Sequence, residues 1–183
     1  MKTLFQSIKI TLVFTVILCV IYPVFIAVTG KLSKGNGNGE TISVNGKIVG
    51  YANIGQKFDQ PQYFWGRPSA VAYNAAGSAG SNKAPGNADY LKEVSNRIDT
   101  LLKYHPYLKR SDIPADMVTA SGSGLDPDIS PEAAKIQIKR VAQFRNVDEQ
   151  KVRALVERQI EKSFMGPAKI NVLKLNIALN TLK

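Results

Sequence analysis

The sequence contains a single cysteine and a single histidine among its 183 residues. Cys19 lies within a long apolar segment, so no disulfide can form within the chain, and its surroundings do not favour a reactive thiolate. His105 lacks the second histidine that a His-based zinc site needs and the sequence context of a catalytic triad. We therefore expect no metal centre and no disulfide, and we expect His105 to be a surface residue at a helix end.

Motifs that bind nucleotides or activate a serine are also missing. No GxxxxGK[ST] sequence occurs, and no GxGxxG sequence follows a predicted strand. Ser123 stands between two glycines, but Ser121 occupies the position at which the GxSxG nucleophile elbow requires glycine. Asp126 and Asp128 flank Pro127 with too few neighbouring oxygen ligands for a calcium site, so turn and cap roles explain them better. The missing motifs disfavour an enzyme and favour a domain that contacts partner subunits.

Acidic residues are scarce and come late in the chain. Lys and Arg number 24 against 14 Asp and Glu, and the formal net charge of +10 favours anionic partners such as lipid headgroups, an acidic subunit or nucleic acid. All the acidic residues follow Lys31, and no Lys/Arg run typical of nucleic-acid-binding arms occurs. We interpret the charge as a diffuse bias and expect no nucleic-acid partner.

One long apolar segment lies near the N-terminus. No residue from 10 to 30 is charged, and at 1.5 Å per residue this stretch spans about 32 Å, against roughly 30 Å for the hydrocarbon core of a bilayer. Pro23 is expected to bend the helix without preventing insertion. A cleaved signal peptide and the buried helix of a soluble core are the alternatives, and the length and full apolarity of the segment disfavour both.

These features predict four regions. They are a cytoplasmic N-tail at 1–9, a transmembrane helix at 10–30, a flexible tether at 31–40 and a soluble extracytoplasmic domain at 41–183. Basic residues on the two sides of the helix are nearly balanced, so the short N-tail, not the positive-inside rule, decides this orientation. The expected location is the cell (inner or plasma) membrane, with a single pass through the lipid bilayer.

The soluble part carries signals for both strands and helices, which predicts an α+β domain. Asn45-Gly46 between two β-branched runs predicts a hairpin with a type I′ turn. The segment 58–74 is rich in aromatic residues and interrupted by proline and glycine, so irregular structure pinned by rings is expected. The loop 75–86 consists mainly of small residues that a partner surface could order. The segment 170–182 is ambiguous between a buried strand and an amphipathic helix.

Three helices are expected between these segments. Asn87 caps the first, Ser130-Pro131 starts a second that runs to about Arg145, and Asp148 caps a third that Gly166-Pro167 stops. The small residues that precede Ser130-Pro131 are either a tight connection, which we favour, or an anion site at the start of the second helix.

The order of several motifs resembles a known family. The motifs are Ile54-Gly55-Gln56-x-Phe58, Tyr63-Phe64-Trp65-Gly66-Arg67-Pro68-Ser69, Gly80-Ser81-Asn82, Ser121 to Pro131 (SGSGLDPDISP) and Asn171 to Leu179 (NVLKLNIAL). Together with the N-terminal span they make the whole chain similar to the C subunit of the Kdp-type potassium-transporting ATPases.

The resemblance implies an accessory subunit of a complex that hydrolyses ATP to take up K⁺. Its partners would be a channel-like K⁺-binding subunit, a P-type ATPase subunit and a small single-span subunit, with the soluble domain outside the membrane against the channel-like subunit. A family proposal makes this subunit a catalytic chaperone that raises the ATP affinity of the pump subunit, with a glutamine at the position of Gln137 contacting nucleotide. No cofactor is expected to bind stably, and ATP is expected only through the complex.

The motifs also supply the residues expected at the interface with partner subunits. These are Gln56, Tyr63, Phe64, Trp65, Gly66, Arg67, Pro68, Ser81, Asn82, Ser121, Gly122, Ser123, Gly124, Asp126 and Pro127. Two other functions fit an N-terminal apolar helix followed by an exported domain: a pilin-like or secretion-system component, and a membrane-tethered hydrolase that uses Ser123.

Overall fold

A computed structural model describes residues 1–182 as two compact units, the first from Met1 to Thr41 and the second from Ile42 onward. The first unit is one long helix followed by turns. The second is a mixed helical and stranded domain, which confirms the α+β prediction.

The N-terminal helix is continuous from Lys2 to Gly30, 29 residues that are apolar enough and long enough to cross a membrane. It comprises α1 (Lys2–Val16), a π-helical segment (Ile17–Ile21) and α2 (Tyr22–Gly30). Since Pro23 has no N–H to donate to the carbonyl four residues earlier, the wider π turns lie where the α-helical ladder is broken. The helix therefore begins eight residues before the predicted span of 10–30. A bend of the helix axis at Pro23 stays a prediction.

A β-hairpin follows residues 31–40, the predicted tether. β1 (Thr41–Val44) and β2 (Lys47–Tyr51) pair in a two-stranded sheet. Asn45 and Gly46 join them with φ angles of 51° and 77°, the left-handed values that a type I′ turn requires at both positions. This prediction is confirmed.

Helix α3 (Ala88–Tyr104) begins where its cap was predicted, because the side chain of Asn87 accepts a hydrogen bond from the N–H of Tyr90 at 3.0 Å. The segment before it, 58–74, has neither helix nor strand, as expected for its prolines and aromatic rings. Three short 3-10 turns, Ala75–Gly77, Arg110–Asp112 and Ala115–Met117, lie in the connecting loops.

The helix predicted from Ser130-Pro131 to Arg145 is interrupted. α4 (Pro131–Lys135) starts at the predicted cap, and α5 (Ile138–Arg145) follows after a break. The hydroxyl of Tyr107 lies in the break, donating to the carbonyl of Ile136 (2.9 Å) and accepting from the N–H of Arg140 (3.2 Å). These two backbone groups would bond each other in a continuous helix, so the inserted side chain separates the two helices.

The two C-terminal predictions are partly corrected. α6 (Glu149–Arg158) is capped by Asp148 as expected but ends well before Gly166-Pro167, because the chain turns extended and Glu161 pairs with Lys169 in an antiparallel bridge. The segment 170–182, which was ambiguous between a strand and a helix, contains a short strand followed by a helix. β4 (Ile170–Asn171) pairs antiparallel with β3 (Asp128–Ile129), and α7 (Val172–Leu179) follows directly.

The core of the domain lies where α4, α5, α6 and α7 pack together, with the two-residue sheet β3–β4 and the aromatic segment closing it. Its fully buried apolar side chains include Phe64, Ile138, Val141, Val152, Val156, Ile170, Leu175 and Leu179. Burying a side chain of this size stabilises the fold by about 1.5–3 kcal/mol. The core thereby fixes the helices against which the aromatic segment is held.

Candidate functional site

The aromatic segment is attached to the helices through its backbone. Phe64 has no regular secondary structure around it, so its N–H and C=O need partners from elsewhere. The side chain of Asn176, on α7, supplies both: its Oδ1 accepts from the N–H of Phe64 (2.8 Å) and its Nδ2 donates to the C=O (3.0 Å). Phe64 and Asn176 are both buried.

Gln137 does the same for the next residue. Its Oε1 accepts from the N–H of Trp65 (2.7 Å), and its Nε2 donates to the C=O of Trp65 (3.2 Å) and to the C=O of Ala133 (3.0 Å). Its side chain has no exposure to solvent. Every polar atom of the Gln137 amide is therefore occupied inside the domain.

Arg140 is buried beside Gln137. One Nη donates to Gln137 Oε1 (2.7 Å), while the other donates to the carbonyls of Pro61 and Tyr63, and the guanidinium lies 4.1 Å from the centre of the Trp65 ring. Burial lowers the pKa of Arg140 to about 10, so it keeps its charge at neutral pH. A fully desolvated cation is compensated here by carbonyl dipoles and an aromatic face.

His105 completes this cluster and corrects the expectation of a surface role. It follows the last residue of α3, as predicted, but its side chain is fully buried. Nδ1 lies 2.7 Å from the carbonyl of Leu101, and Nε2 lies 2.9 Å from Nε of Arg140. Arg140 can only donate, so Nε2 is the acceptor and the proton of the neutral ring is on Nδ1. Burial lowers the pKa of His105 to about 4.

A second group of contacts joins the other sequence motifs. Arg67 forms an ion pair with Asp126 (2.9 Å), and the hydroxyl of Tyr73 donates to the carbonyl of Arg67 (2.6 Å). Burial, with the nearby Asp126 carboxylate, raises the pKa of Tyr73 to about 12. A Cβ on Gly55 would lie 2.3 Å from the carbonyl oxygen of Asp126, so only glycine allows this close approach.

Two loops of small residues lie side by side next to this ion pair. Ser69 donates to the carbonyl of Gly124 (2.7 Å) and Ser78 donates to that of Ser123 (2.9 Å). The backbone of Gly80 packs directly on that of Gly122. A Cβ added to Gly80 would lie 2.9 Å from the carbonyl oxygen of Gly122. We call residues 78–82 and 121–124 together the paired-loop surface. Motifs about forty residues apart in sequence thus form one surface.

The predicted interface residues differ in accessibility. Phe64, Ser121 and Gly124 are buried within the domain, and Asn82, Gly122 and Ser123 are exposed. The others are half-buried: Gln56, Tyr63, Trp65, Gly66, Arg67, Pro68, Ser81, Asp126 and Pro127. The three buried residues can only support an interface from below. Contact of the rest with a partner stays a prediction.

The carboxylate of Asp116 lies at the start of α4. The N–H and the hydroxyl of Ser130 donate to the two carboxylate oxygens of Asp116 (2.8 and 3.2 Å), and Ser130 Oγ caps the N–H of Ala133 (3.0 Å). A side-chain anion already satisfies this helix end. The tight connection, not the anion site, is the interpretation that these contacts favour.

Ser123 and His105, which a serine hydrolase would need together, have other partners in the structure. Ser123 Oγ is exposed and accepts from the N–H of Leu125 (3.1 Å), as in an ordinary turn, while the one histidine is committed to Arg140. Within residues 1–182 no three His, Cys, Asp or Glu side chains cluster in a way that could hold a metal ion.

The comparison with known proteins connects this geometry to a family. The family model of the K⁺-transporting ATPase c chain, KdpC, matches residues 4–181, which include nearly all of the N-terminal apolar helix and of the domain. The chain belongs to the KdpC family. The resemblance inferred from the motifs is thereby confirmed.

Curated KdpC relatives are similar along the whole chain. A potassium-transporting ATPase KdpC subunit of Flavobacterium johnsoniae is 63% identical over 183 residues, covering all of both chains. Those of Bacteroides fragilis (strain YCH46) and Caldanaerobacter subterraneus subsp. tengcongensis are 54% and 48% identical, covering 100% and 95% of this chain and 99% and 92% of theirs.

Sequence reasoning missed three residues that build this KdpC domain: Arg140, Asn176 and Tyr107. A signal for Asn176 was present, since it is a polar residue within the apolar run of α7. Arg140 and Tyr107 gave none, because an arginine in a helix and a tyrosine in a loop are ordinary surface residues in most sequences.

Proposed function

We propose that this KdpC-family chain is the non-catalytic accessory subunit of an ATP-driven K⁺ uptake complex, in which it stabilises assembly with the channel-like subunit. The P-type ATPase subunit and the small single-span subunit are its other partners. The observation that carries the proposal is the match of the family over membrane helix and domain together. The relatives named above are themselves potassium-transporting ATPase subunits along their full lengths.

The proposed orientation leaves the N-terminus in the cytoplasm. Only Lys2 and Lys9 are charged side chains before the apolar stretch, and such a short basic tail is retained while a large following domain is exported. The domain then lies on the extracytoplasmic side of the membrane, where the channel-like subunit takes up its ion.

The paired-loop surface is the contact that we propose for the channel-like subunit. Asn82, Gly122 and Ser123 are exposed on it, and because its residues are mostly small, little side-chain entropy is lost on binding. The Arg67–Asp126 ion pair fixes the base of this surface. Small residues on this surface allow the close approach of a second backbone.

ATP affinity is the second part of the family proposal, and we infer an indirect route for it. A direct contact between Gln137 and nucleotide would require the amide to leave Trp65, Ala133 and Arg140, and buried donors and acceptors without partners cost about 1–3 kcal/mol each. An extracytoplasmic domain also lies across the bilayer from cytoplasmic ATP. An effect on ATP affinity would therefore be transmitted through packed helices.

The test is purification of the complex from cells that express a tagged full-length chain. Gly122→Arg adds a bulky cation at an exposed site with no atom within 4 Å of its new Cβ, and Gly86→Arg makes the same change at an equally open site outside the paired-loop surface. We expect Gly122→Arg to lose the larger subunits and K⁺-stimulated ATP hydrolysis, and Gly86→Arg to keep both. Normal activity of a complex without this chain would refute the accessory role.

The same preparation distinguishes the pilin-like alternative. A pilin-like protein would be processed at its N-terminus and would polymerise. Recovery of the intact segment from Met1 to Lys9 in the mature chain, determined by mass spectrometry, is the result expected for a permanently anchored subunit.

A further inference from the structure

The contact between His105 and Arg140 depends on a single protonation state. Nε2 of His105 accepts from Nε–H of Arg140 at 2.9 Å, and Nδ1–H donates to Leu101 at 2.7 Å. Adding a proton to Nε2 would place two N–H groups, both on cations, against each other. The hydrogen bond is then lost and replaced by repulsion between charges in a site of low dielectric constant.

We propose that His105 is an acid-sensitive clasp, in which protonation of Nε2 separates the end of α3 from Arg140 and loosens the hold of Arg140 on the Pro61–Trp65 segment. The clasp is a property of the domain alone and does not depend on the proposed function.

Within residues 1–182, the repulsion is not relieved by a carboxylate bonded to either side chain. Trp65 and Tyr107 present ring edges to His105 at centroid distances of 5.9 Å each, and neither His105 nor Arg140 bonds a carboxylate within residues 1–182. The ionisable groups around them are Tyr104 on α3, Tyr107 after it, Lys139 over the Tyr107 ring on α5, and Glu149 on α6, which acts on Tyr107. Burial raises the pKa of Tyr107, which is therefore neutral in acid, and the lysine adds further positive charge.

The consequence reaches the segment that carries the Trp65 motif. Arg140 binds the carbonyls of Pro61 and Tyr63 and covers the ring of Trp65, so displacing its guanidinium frees three contacts of this segment at once. Asn176 still holds Phe64, so the segment is loosened and stays attached. The burial that lowers the pKa of His105 to about 4 keeps the clasp closed at neutral pH.

Nitrogen NMR of the full-length chain in nanodiscs tests the geometry directly. The chain has one histidine, so selective ¹⁵N-histidine labelling yields the signals of a single imidazole. We expect an unprotonated Nε2 and a protonated Nδ1 at pH 7, and protonation of Nε2 with a midpoint near pH 4. A proton on Nε2 at pH 7, or a midpoint above pH 6, would overturn the proposal.

Fluorescence of Trp65, the one tryptophan, tests the consequence in the same preparation. We expect a reversible one-proton change in its emission at the same midpoint. His105→Gln keeps an acceptor for Arg140 but cannot be protonated, so the change should disappear. Asp99→Asn, which removes an exposed carboxylate on α3, should leave the change in place. If emission stays constant while the imidazole titrates, or the transition persists in His105→Gln, the clasp does not exist; a variant that fails to fold leaves the NMR result decisive.

Discussion

Gln137 and Trp65 are joined by two hydrogen bonds between one side-chain amide and one backbone residue, N–H to Oε1 at 2.7 Å and Nε2 to C=O at 3.2 Å. Gln137 lies in the break between α4 and α5, 72 positions from Trp65 in sequence. Its amide thereby pairs with one backbone N–H and one backbone C=O of the aromatic segment. The same amide oxygen also accepts from Arg140. A residue proposed in the family to meet a nucleotide is, in this chain, a structural element of the core.

Replacing Gln137 by alanine should therefore lower stability sharply. The backbone N–H of Trp65 and one Nη of Arg140 would lose their acceptor, and unsatisfied buried groups cost about 1–3 kcal/mol each, so we expect a loss of about 3 kcal/mol in the free energy of unfolding. Urea titration of the full chain in detergent, monitored by Trp65 fluorescence, measures it.

The control for that experiment is Gln143→Ala, because Gln143 is exposed on α5, the helix that follows Gln137, and its replacement should change stability by less than about 0.5 kcal/mol. In the assembled complex, a raised KM for ATP in Gln137→Ala with unchanged stability would support a direct nucleotide contact and contradict the structural role.

How far the sequence predicts this fold depends on the range of the interactions involved. Asn45-Gly46, Asn87 and Ser130-Pro131 act on backbone groups within a few residues, and all three were recognised correctly. The break at Ile136 could not be, because it is made by the hydroxyl of Tyr107, about thirty positions away.

The candidate site follows the same rule. The motifs identified the segments that form the candidate site. They could not show that Asn82 is exposed and Ser121 buried, because exposure is set by tertiary packing. His105 was placed correctly at a helix end and wrongly on the surface, since burial depends on Arg140 and Trp65 from other parts of the chain. The hydrophobic periodicity of a helix does not indicate contacts with residues that are distant in sequence.

Gly55 gives a test of the contact beneath the paired-loop surface. In Gly55→Ala the new Cβ would lie 2.3 Å from the Asp126 carbonyl oxygen and 2.9 Å from Cε1 of Tyr73, so one of these segments must shift. Overpacking of this kind costs about 1–3 kcal/mol. Gly86→Ala, at a glycine with open space around it, should be neutral. Equal thermal unfolding temperatures for the two variants would contradict the close approach.

The stability of the domain should decrease in acid because of His105. Its pKa is about 4 in the folded chain and 6.5 as a free side chain, so the unfolded chain binds the proton first as the pH falls. The contribution of the neutral ring is complete above pH 6.5, decreases between pH 6.5 and 4, and is absent below. At about 1.4 kcal/mol per pH unit the total is roughly 3 kcal/mol.

Urea unfolding at pH 7 and pH 4.5 measures this contribution when wild type is compared with His105→Gln. Carboxylates affect both proteins equally, so the contribution of the histidine is the difference between the stability that each protein loses from pH 7 to pH 4.5. Equal losses would mean that the ring is not buried in the neutral form.

The orientation of the chain is open to a direct chemical test. Ser111 is exposed in the domain, and Cys19 is the one native thiol, so Ser111→Cys in a Cys19→Ser background places a single reporter on the domain surface. A membrane-impermeant maleimide should label it from the extracytoplasmic side without lysis of the inner membrane. A matched reporter, Ser7→Cys in the same background, lies in the first turns of the N-terminal helix and should react only after lysis. The reverse labelling pattern would place the domain on the cytoplasmic side, where ATP is hydrolysed. The indirect route between Gln137 and nucleotide would then be supported only by the burial of the Gln137 amide.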